Sequence, residues 1–409
     1  MKKPLPDPSS DQPGPSSAAL RHYSRRSALK TGLTALAAGA AGWPYPLLAS
    51  DKPDEALVPF LDEPRTGANQ LDWETLDRWL TPSDQAFNVQ HYGIPDFEVK
   101  DFKLEITGLV AKPMTLTLDD LKALPKKEQL MTLECSGNGS SKGFMNAVYN
   151  SRWTGTPLAP LLEKCGVQRQ AKEVVFFGMD RKAETLRPGT DRQLTVEVPF
   201  GRSLAIEDAR ALPLLLAYER NGEPIEKRNG APLRLIVPGW YGIANVKWLT
   251  RIDVRDRRYM GHYMGRDYVT VRGERHNGQI VFLETSVARM NLKSVVARVM
   301  RRPARDGAIP LTAHGAAWGD GTDIKRVEVR IDDGPWRPAV MDSKPRAKFC
   351  WVFFSIDLGR VQPGKHTIVS RATDANGRVQ PASEDDEIAL KKTYWEAYQQ
   401  WPRQFQIEV

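Results

Sequence analysis

The chain reads as α+β: a mixed α/β region followed by an all-β antiparallel sandwich. From Phe97 to Val254, short strand-like apolar runs alternate with brief helical patterns, the mark of a mixed sheet domain. Further on the texture becomes strand and turn alone, with Val327, Val329 and Ile331 alternating with Glu328 and Arg330 before Asp332-Asp333-Gly334. Several strands of this spacing within about 100 residues predict two packed antiparallel sheets. The 409 residues are long enough for two separate cores even after the first 49 are set aside.

In chain order, Ser24-Arg25-Arg26-Ser27-Ala28-Leu29-Lys30 is a paired-arginine motif followed by a weakly apolar stretch from Thr31 to Gly42. It has the form of a twin-arginine export signal, a receptor-read address for proteins moved already folded, with cleavage expected near Ala49. The apolar run stops at Pro44 and Pro46, short of the roughly 20 residues a membrane span needs, so no stable span is expected. Residues 1–49 are therefore assigned to the signal and the chain to the periplasm. Residues 50–85 are rich in Pro and Asp and are expected to wrap over the surface. The mixed domain is placed at 86–256. Within it Leu118–Leu124 forms a helix ended by Pro125, and Leu233–Val237 a buried strand stopped by Pro238-Gly239. A connector follows at 257–290 and the sandwich at 291–400, with strands at Lys348–Ile356 and His366–Ala372.

Composition narrows the function classes. Residues 1–49 hold six of the basic and two of the acidic side chains, so half of the formal +8 belongs to the signal. What remains is too mild, and too scattered, for a nucleic-acid-binding surface. Three cysteines with no paired spacing exclude a disulfide scaffold. Cys165, before Gly166, is expected to pack at a helix end, and Cys350, in Phe349-Cys350-Trp351-Val352-Phe353, inside a core strand. No Cys-x-x-Cys-His occurs, so no c-type haem is attached to this chain.

Cys135 stands apart. It ends a short apolar run and opens the turn Ser136-Gly137-Asn138-Gly139, where a soft thiolate can meet a transition metal and glycine lets a bulky group approach. Read alone, such a cysteine is more often a small buried hydrophobe. Downstream come Trp153-Thr154-Gly155-Thr156-Pro157-Leu158, Phe177-Gly178-Met179-Asp180-Arg181, Leu216 to Pro224, Asn229 to Gly239 and Asn245-Val246-Lys247-Trp248-Leu249. This ordered set resembles the sulfite oxidase family of molybdenum enzymes, from about Phe87 to the C-terminal region. The resemblance implies a sulfite-oxidase-type molybdopterin domain, then an immunoglobulin-like dimerisation domain and a possible homodimer. It implies a bis-oxo molybdenum on one pterin dithiolene, with no haem in the chain and electrons leaving to a separate c-type cytochrome or haem subunit.

Carried over residue by residue, Cys135 matches the molybdenum ligand and Asp180 an acidic pterin contact. Arg234 and Lys247 match basic residues that hold the cofactor, where a guanidinium fork and an ammonium suit phosphate. Read bare, Arg234 beside Leu235 is more often an edge residue facing solvent. Asn245 and Val246 are expected to offer backbone donors. Tyr268, in Gly261-His262-Tyr263-Met264-Gly265-Arg266-Asp267-Tyr268, matches the active-site tyrosine.

Three departures bear on the substrate. Gln90 stands where the family usually has an arginine, with His91 and Tyr92 still set to contact the cofactor. Ser140 replaces a second arginine and Asn229 a histidine. A sulfite dianion loses strong guanidinium contacts at those places; Arg266 or an arginine of the second domain is the expected substitute. The readings left standing are oxygen-atom transfer to sulfite or a related sulfur compound or oxyanion, S-oxide reduction on the same fold, and a non-catalytic binding protein.

Overall fold

The computed structural model describes residues 54–62, 70–76, 78–141, 145–304, 306–343 and 347–408. The paired-arginine motif and the expected cleavage point lie outside them. Among the described residues no helix is long and apolar enough to cross a membrane.

Two five-stranded sheets form the first half. In one, Lys127–Glu134, Val148–Pro157, Leu215–Arg220 and Arg234–Ile236 lie side by side and antiparallel, with Glu223–Pro224 against Leu215–Arg220. The other runs Met114–Leu116, Leu104–Gly108, Leu249–Arg255, Glu173–Leu186, Leu194–Ala205, and only its Leu104–Gly108 with Leu249–Arg255 pair is parallel. The helices are short. Leu118–Lys122 starts in a capping box between Thr117 and Asp120 and stops two residues before the expected end. Ala159–Cys165 ends at Gly166, whose φ of 67° suits glycine at a helix C-terminus. Cys165 is fully buried there, as expected of a helix-end packing residue.

The second half is a sandwich. One sheet orders Ala56–Val58, Lys293–Arg301, Ile309–Trp318, Val352–Val361 and Val340–Met341; the other orders Arg337–Pro338, Ile324–Ile331, Gly364–Asp374 and Arg403–Ile407. Val296, Val299, Ala313 and Phe354 of the first meet Val327, Val329, Ile368 and Phe405 of the second in one apolar core. The alternate residues of the first sheet, including Val295, Ala297, Ala316 and Trp318, join the core of the first half instead. Lys293–Arg301 is thus buried on both faces along most of its length, and its apolar residues fall at consecutive positions, Val295-Val296-Ala297 and Val299-Met300, rather than alternating.

Three expectations need correction. Residues 70–76 and 78–81 are not a superficial wrap: Leu71, Trp73, Leu76 and Trp79 are buried, and Trp73 stacks on Trp318 with ring centroids 5.8 Å apart. Large aromatics bury too much apolar area to lie on a surface when a core will take them. Cys350 is buried but precedes its strand, in a turn closed by Cys350 N–H to Ala347 O at 3.0 Å. The stretch 257–290 is also more than a connector, holding the helix His262–Gly265 and the two-stranded hairpin Val269–His276 with Gln279–Ser286.

Candidate active site

Where the strand Lys127–Glu134 ends, the chain turns over Cys135 into a cleft of about 600 Å³, mouth included. Gln90, His91, Cys135, Asp180, Arg234, Asn245, Lys247 and Tyr268 line it together, although they span almost 180 positions of sequence. The cysteine loop is held by Cys135 N–H to Ala147 O and Asn138 N–H to Cys135 O, both 2.9 Å. Its thiol is half-buried, and desolvation pushes its pKa up; a metal that binds it must displace the proton.

The polar wall is unusual for a protein interior. Arg234 is 4% exposed and, among the described residues, forms no ion pair with a carboxylate. Its guanidinium donates to Asn229 O at 3.1 Å and Asn245 O at 3.3 Å and lies 5.2 Å from the Trp153 ring centre. Lys247 Nζ donates to Val89 O at 2.9 Å, Arg228 O at 3.0 Å and Asn88 Oδ1. Burial, then the neighbouring Arg234 charge, draws the Lys247 pKa down to about 6. Burial raises Asp180 to about 7, and its Oδ1 is buried without a hydrogen-bond partner, as is Ser136 Oγ. Buried polar atoms are satisfied in most folded proteins, so the unpartnered ones of Asp180 and Ser136 beside Arg234 and Lys247 suit a place prepared for a ligand.

Tyr268 closes the other side. It is 5% exposed, holds φ at 49°, stacks on Trp395 at 4.0 Å, and its hydroxyl is 3.1 Å from His91 Nε2. Desolvation, with help from the Lys247 charge, lowers His91 to about 4, and desolvation raises the Tyr268 phenol. The imidazole is therefore neutral at pH 7 and the phenol protonated, a pair able to share one proton between them.

Four residues fall elsewhere. Tyr92 and Arg266 bond Glu184, Arg266 at 2.7 Å, with His262 Nδ1 3.1 Å from the same carboxylate, in an adjoining pocket behind Tyr263. Burial opposes the Glu184 charge, but these partners hold its pKa below the usual range. Arg266 is thus committed to Glu184 and does not replace the arginines absent at Gln90 and Ser140; Ser140 itself borders a different pocket. Asn229 is buried and reaches the cleft only through Arg234. Val246 is a core residue, and the expected backbone donors are engaged: Asn245 N–H bonds Gly242 O and Val246 N–H bonds Ala244 O, because the chain makes a tight turn there. The Asn245 side chain bridges Val237 N–H and Tyr241 O. Sequence reasoning missed Phe87, Ser136, Phe200, Ile243 and Trp248 as cleft walls. Ser136 and Trp248 adjoin residues already singled out; Phe200 carried no signal.

The donor set fits a molybdenum–pterin group. Among the described residues no three His, Cys, Asp or Glu side chains cluster to hold a metal by themselves. Asp180 can accept from a pterin ring, and Arg234 and Lys247 suit its phosphate.

Comparison with known proteins agrees. The profile of the oxidoreductase molybdopterin binding domain matches residues 91–263, and that of the Mo-co oxidoreductase dimerisation domain residues 284–395. The mitochondrial sulfite oxidase of Drosophila melanogaster is 32% identical over 348 residues, 79% of this chain and 58% of that protein. NADH nitrate reductase 2 of Phaseolus vulgaris is 28% identical over 338 residues, 74% of this chain and 37% of that protein. The chain spans less than two thirds of the length of these relatives. The fold is that of the sulfane dehydrogenase SoxCD from Paracoccus pantotrophus, with a TM-score of 0.67 at 24% identity, covering 91% of this chain and 96% of that one.

Proposed function

The chain belongs to the sulfite oxidase family of molybdopterin-dependent oxidoreductases, and on that premise we propose that it is an exported enzyme acting on sulfite or a related sulfur compound by oxygen-atom transfer. The observation that carries this is the half-buried Cys135 thiol in a cleft where Asp180 Oδ1 is buried without a hydrogen-bond partner and Arg234 and Lys247 are held by neutral oxygen acceptors. When bound, the molybdenum–pterin group supplies the two-electron capacity that oxygen-atom transfer needs. Cys135 holds the metal as a thiolate. Asp180, Arg234 and Lys247 hold the pterin and its phosphate, and an arriving anion restores the Lys247 proton that burial disfavours. Tyr268 and neutral His91 face the reacting end as a hydrogen-bonding pair. Gln90, exposed at the mouth, adds a neutral donor. A cleft that offers neutral donors once its cations are taken favours a substrate of lower charge than a dianion. Electrons are proposed to leave to a separate cytochrome, and the second domain to pair two copies.

S-oxide reduction on the same site is the second reading, because neutral donors suit an S-oxide equally well. The deciding test is molybdenum and pterin content of purified protein, followed by dye-linked turnover of sulfite, other reduced sulfur compounds and sulfoxides. Absence of both metal and pterin would overturn the assignment, and turnover of sulfoxides alone would reverse the direction. Export by the twin-arginine route is expected to fail in Arg25→Lys with Arg26→Lys. Mature double variant in a periplasmic extract at the normal level would refute that route.

A further inference from the structure

Immediately before Cys135 lies a carboxylate that no solvent reaches. The Glu134 side chain is 0% exposed, and its partner, Lys293 at the start of the strand Lys293–Arg301, is 1% exposed. Glu134 Oε1 accepts from Lys293 Nζ and from Asn138 Nδ2 at 2.9 Å, while Oε2 accepts from Trp318 Nε1 at 2.8 Å. The Lys293 ammonium donates a second bond, 2.9 Å, to Asn138 O. One buried lysine thus ties together residue 134 and residue 138, the two ends of the loop that carries Cys135. The C-terminal region adds Glu396 N–H to Ser136 O at 2.7 Å and Gln399 Nε2 to Gly139 O at 2.9 Å. Most of the outside support for the loop comes from beyond residue 290.

A buried ion pair is poor evidence for stability, since apolar residues of similar volume often do as well. What apolar residues cannot do is hold a carbonyl and a carboxylate at fixed separation. We propose that Glu134 and Lys293 are positioning residues for the Cys135 thiol, by which the second domain sets where the sulfur points into the cleft. This rests on the reading of Cys135 as the metal ligand, but the placement of the thiol can be tested without the metal.

The test is site-resolved alkylation by iodoacetamide of the full chain prepared cofactor-free, with Cys165 and Cys350, both buried, as internal references. Lys293→Met is expected to raise Cys135 labelling at least about fivefold and leave the two references protected. Arg403→Met breaks another ion pair with a buried cation, Arg403 with the partly exposed Asp62 at 3.0 Å, and is expected to lower the Tm while Cys135 labels at the wild-type rate. If Lys293→Met exposes all three thiols, the doubly neutral Glu134→Gln/Lys293→Met decides, because it leaves no buried unpaired charge and still lacks the ammonium bond to Asn138 O. Unchanged Cys135 labelling in that folded double variant overturns the proposal, as does equally raised labelling in Arg403→Met. In the loaded protein, Lys293→Met should also alter the molybdenum paramagnetic signature at unchanged pterin content. Wild-type protein with neither molybdenum nor pterin would sink the functional reading alone, leaving the alkylation result to stand.

Discussion

Arg403 and Arg234 are both buried cations, and the chain treats them in opposite ways. Arg403, 0% exposed in the sandwich, meets Asp62 through two hydrogen bonds at 3.0 and 3.2 Å and donates further to the carbonyls of Val296 and Ala297. Lys293 beneath the cysteine loop is matched in the same fashion by Glu134. In the cleft, Arg234 has carbonyls, the Tyr149 phenol and an aromatic face, Lys247 donates to neutral oxygens with Asp180 as a nearby opposite charge, and Asp180 Oδ1 has no hydrogen-bond partner. Burying charge without a counter-charge costs folding free energy unless a ligand completes it. Arg202, equally buried and bonded to the carbonyls of Tyr263 and Val287, shows that carbonyls alone can hold a structural arginine, so what sets the cleft apart is the unpartnered Asp180 Oδ1 beside two cationic side chains.

The sharpest break should come at Cys135, for which the cleft has no substitute. Cys135→Ser is expected to keep pterin yet lose all but about one per cent of turnover, because a hydroxyl is a poor soft-metal ligand. Wild-type turnover would remove the ligand assignment. Next comes the direct comparison of cations in cofactor-free protein. Arg403→Met removes a buried guanidinium from the partly exposed Asp62 and should cost more than about 1 kcal/mol, whereas Lys247→Met should stay within about 1 kcal/mol of wild type while cofactor content falls. Denaturant unfolding of both variants measures this, and equal losses would erase the distinction drawn above.

His91 sharpens it through pH. Its pKa is drawn down to about 4 in the fold from the usual 6.5, so between those values the unfolded chain takes the proton first. Stability should therefore fall as pH drops through that window, by at most about 1.4 kcal/mol per pH unit from this residue. His91→Gln should show a shallower decline of Tm from pH 6.5 to 4, and identical slopes would rule the effect out. The smallest change concerns the mouth. Gln90→Arg adds one charge-assisted contact of roughly 1.5–3 kcal/mol and should lower KM for sulfite about tenfold. If molybdenum content is full and KM does not move, the absence of that arginine does not explain the substrate preference.

Much of the site was legible as residues in order. Cys135, Asp180, Arg234, Lys247 and Tyr268 were all identifiable, and all line one cleft. Their states were not. Arg234, read bare, belongs on a solvent edge, yet its strand is covered and it is buried. Arg266 looked free to meet an anion until Glu184, 82 positions away, was found to hold it. The donors expected of Asn245 and Val246 are taken by a turn that the surrounding sequence does not announce.

The division follows the range of the forces. The sequence by itself determined the order of the two architectures, the helix that ends at Cys165, the alternation of Val327 and Val329, and the thiol at the mouth of a glycine turn, because propensity, periodicity and turn chemistry act over a few residues. Only the tertiary structure decided that Trp73 and Trp79 lie in the core, that Lys293 supports a loop 155 positions away at Asn138, and which buried charges go unmatched. Desolvation and charge pairing depend on what arrives from distant parts of the chain, and an amino-acid sequence does not state its neighbours in space.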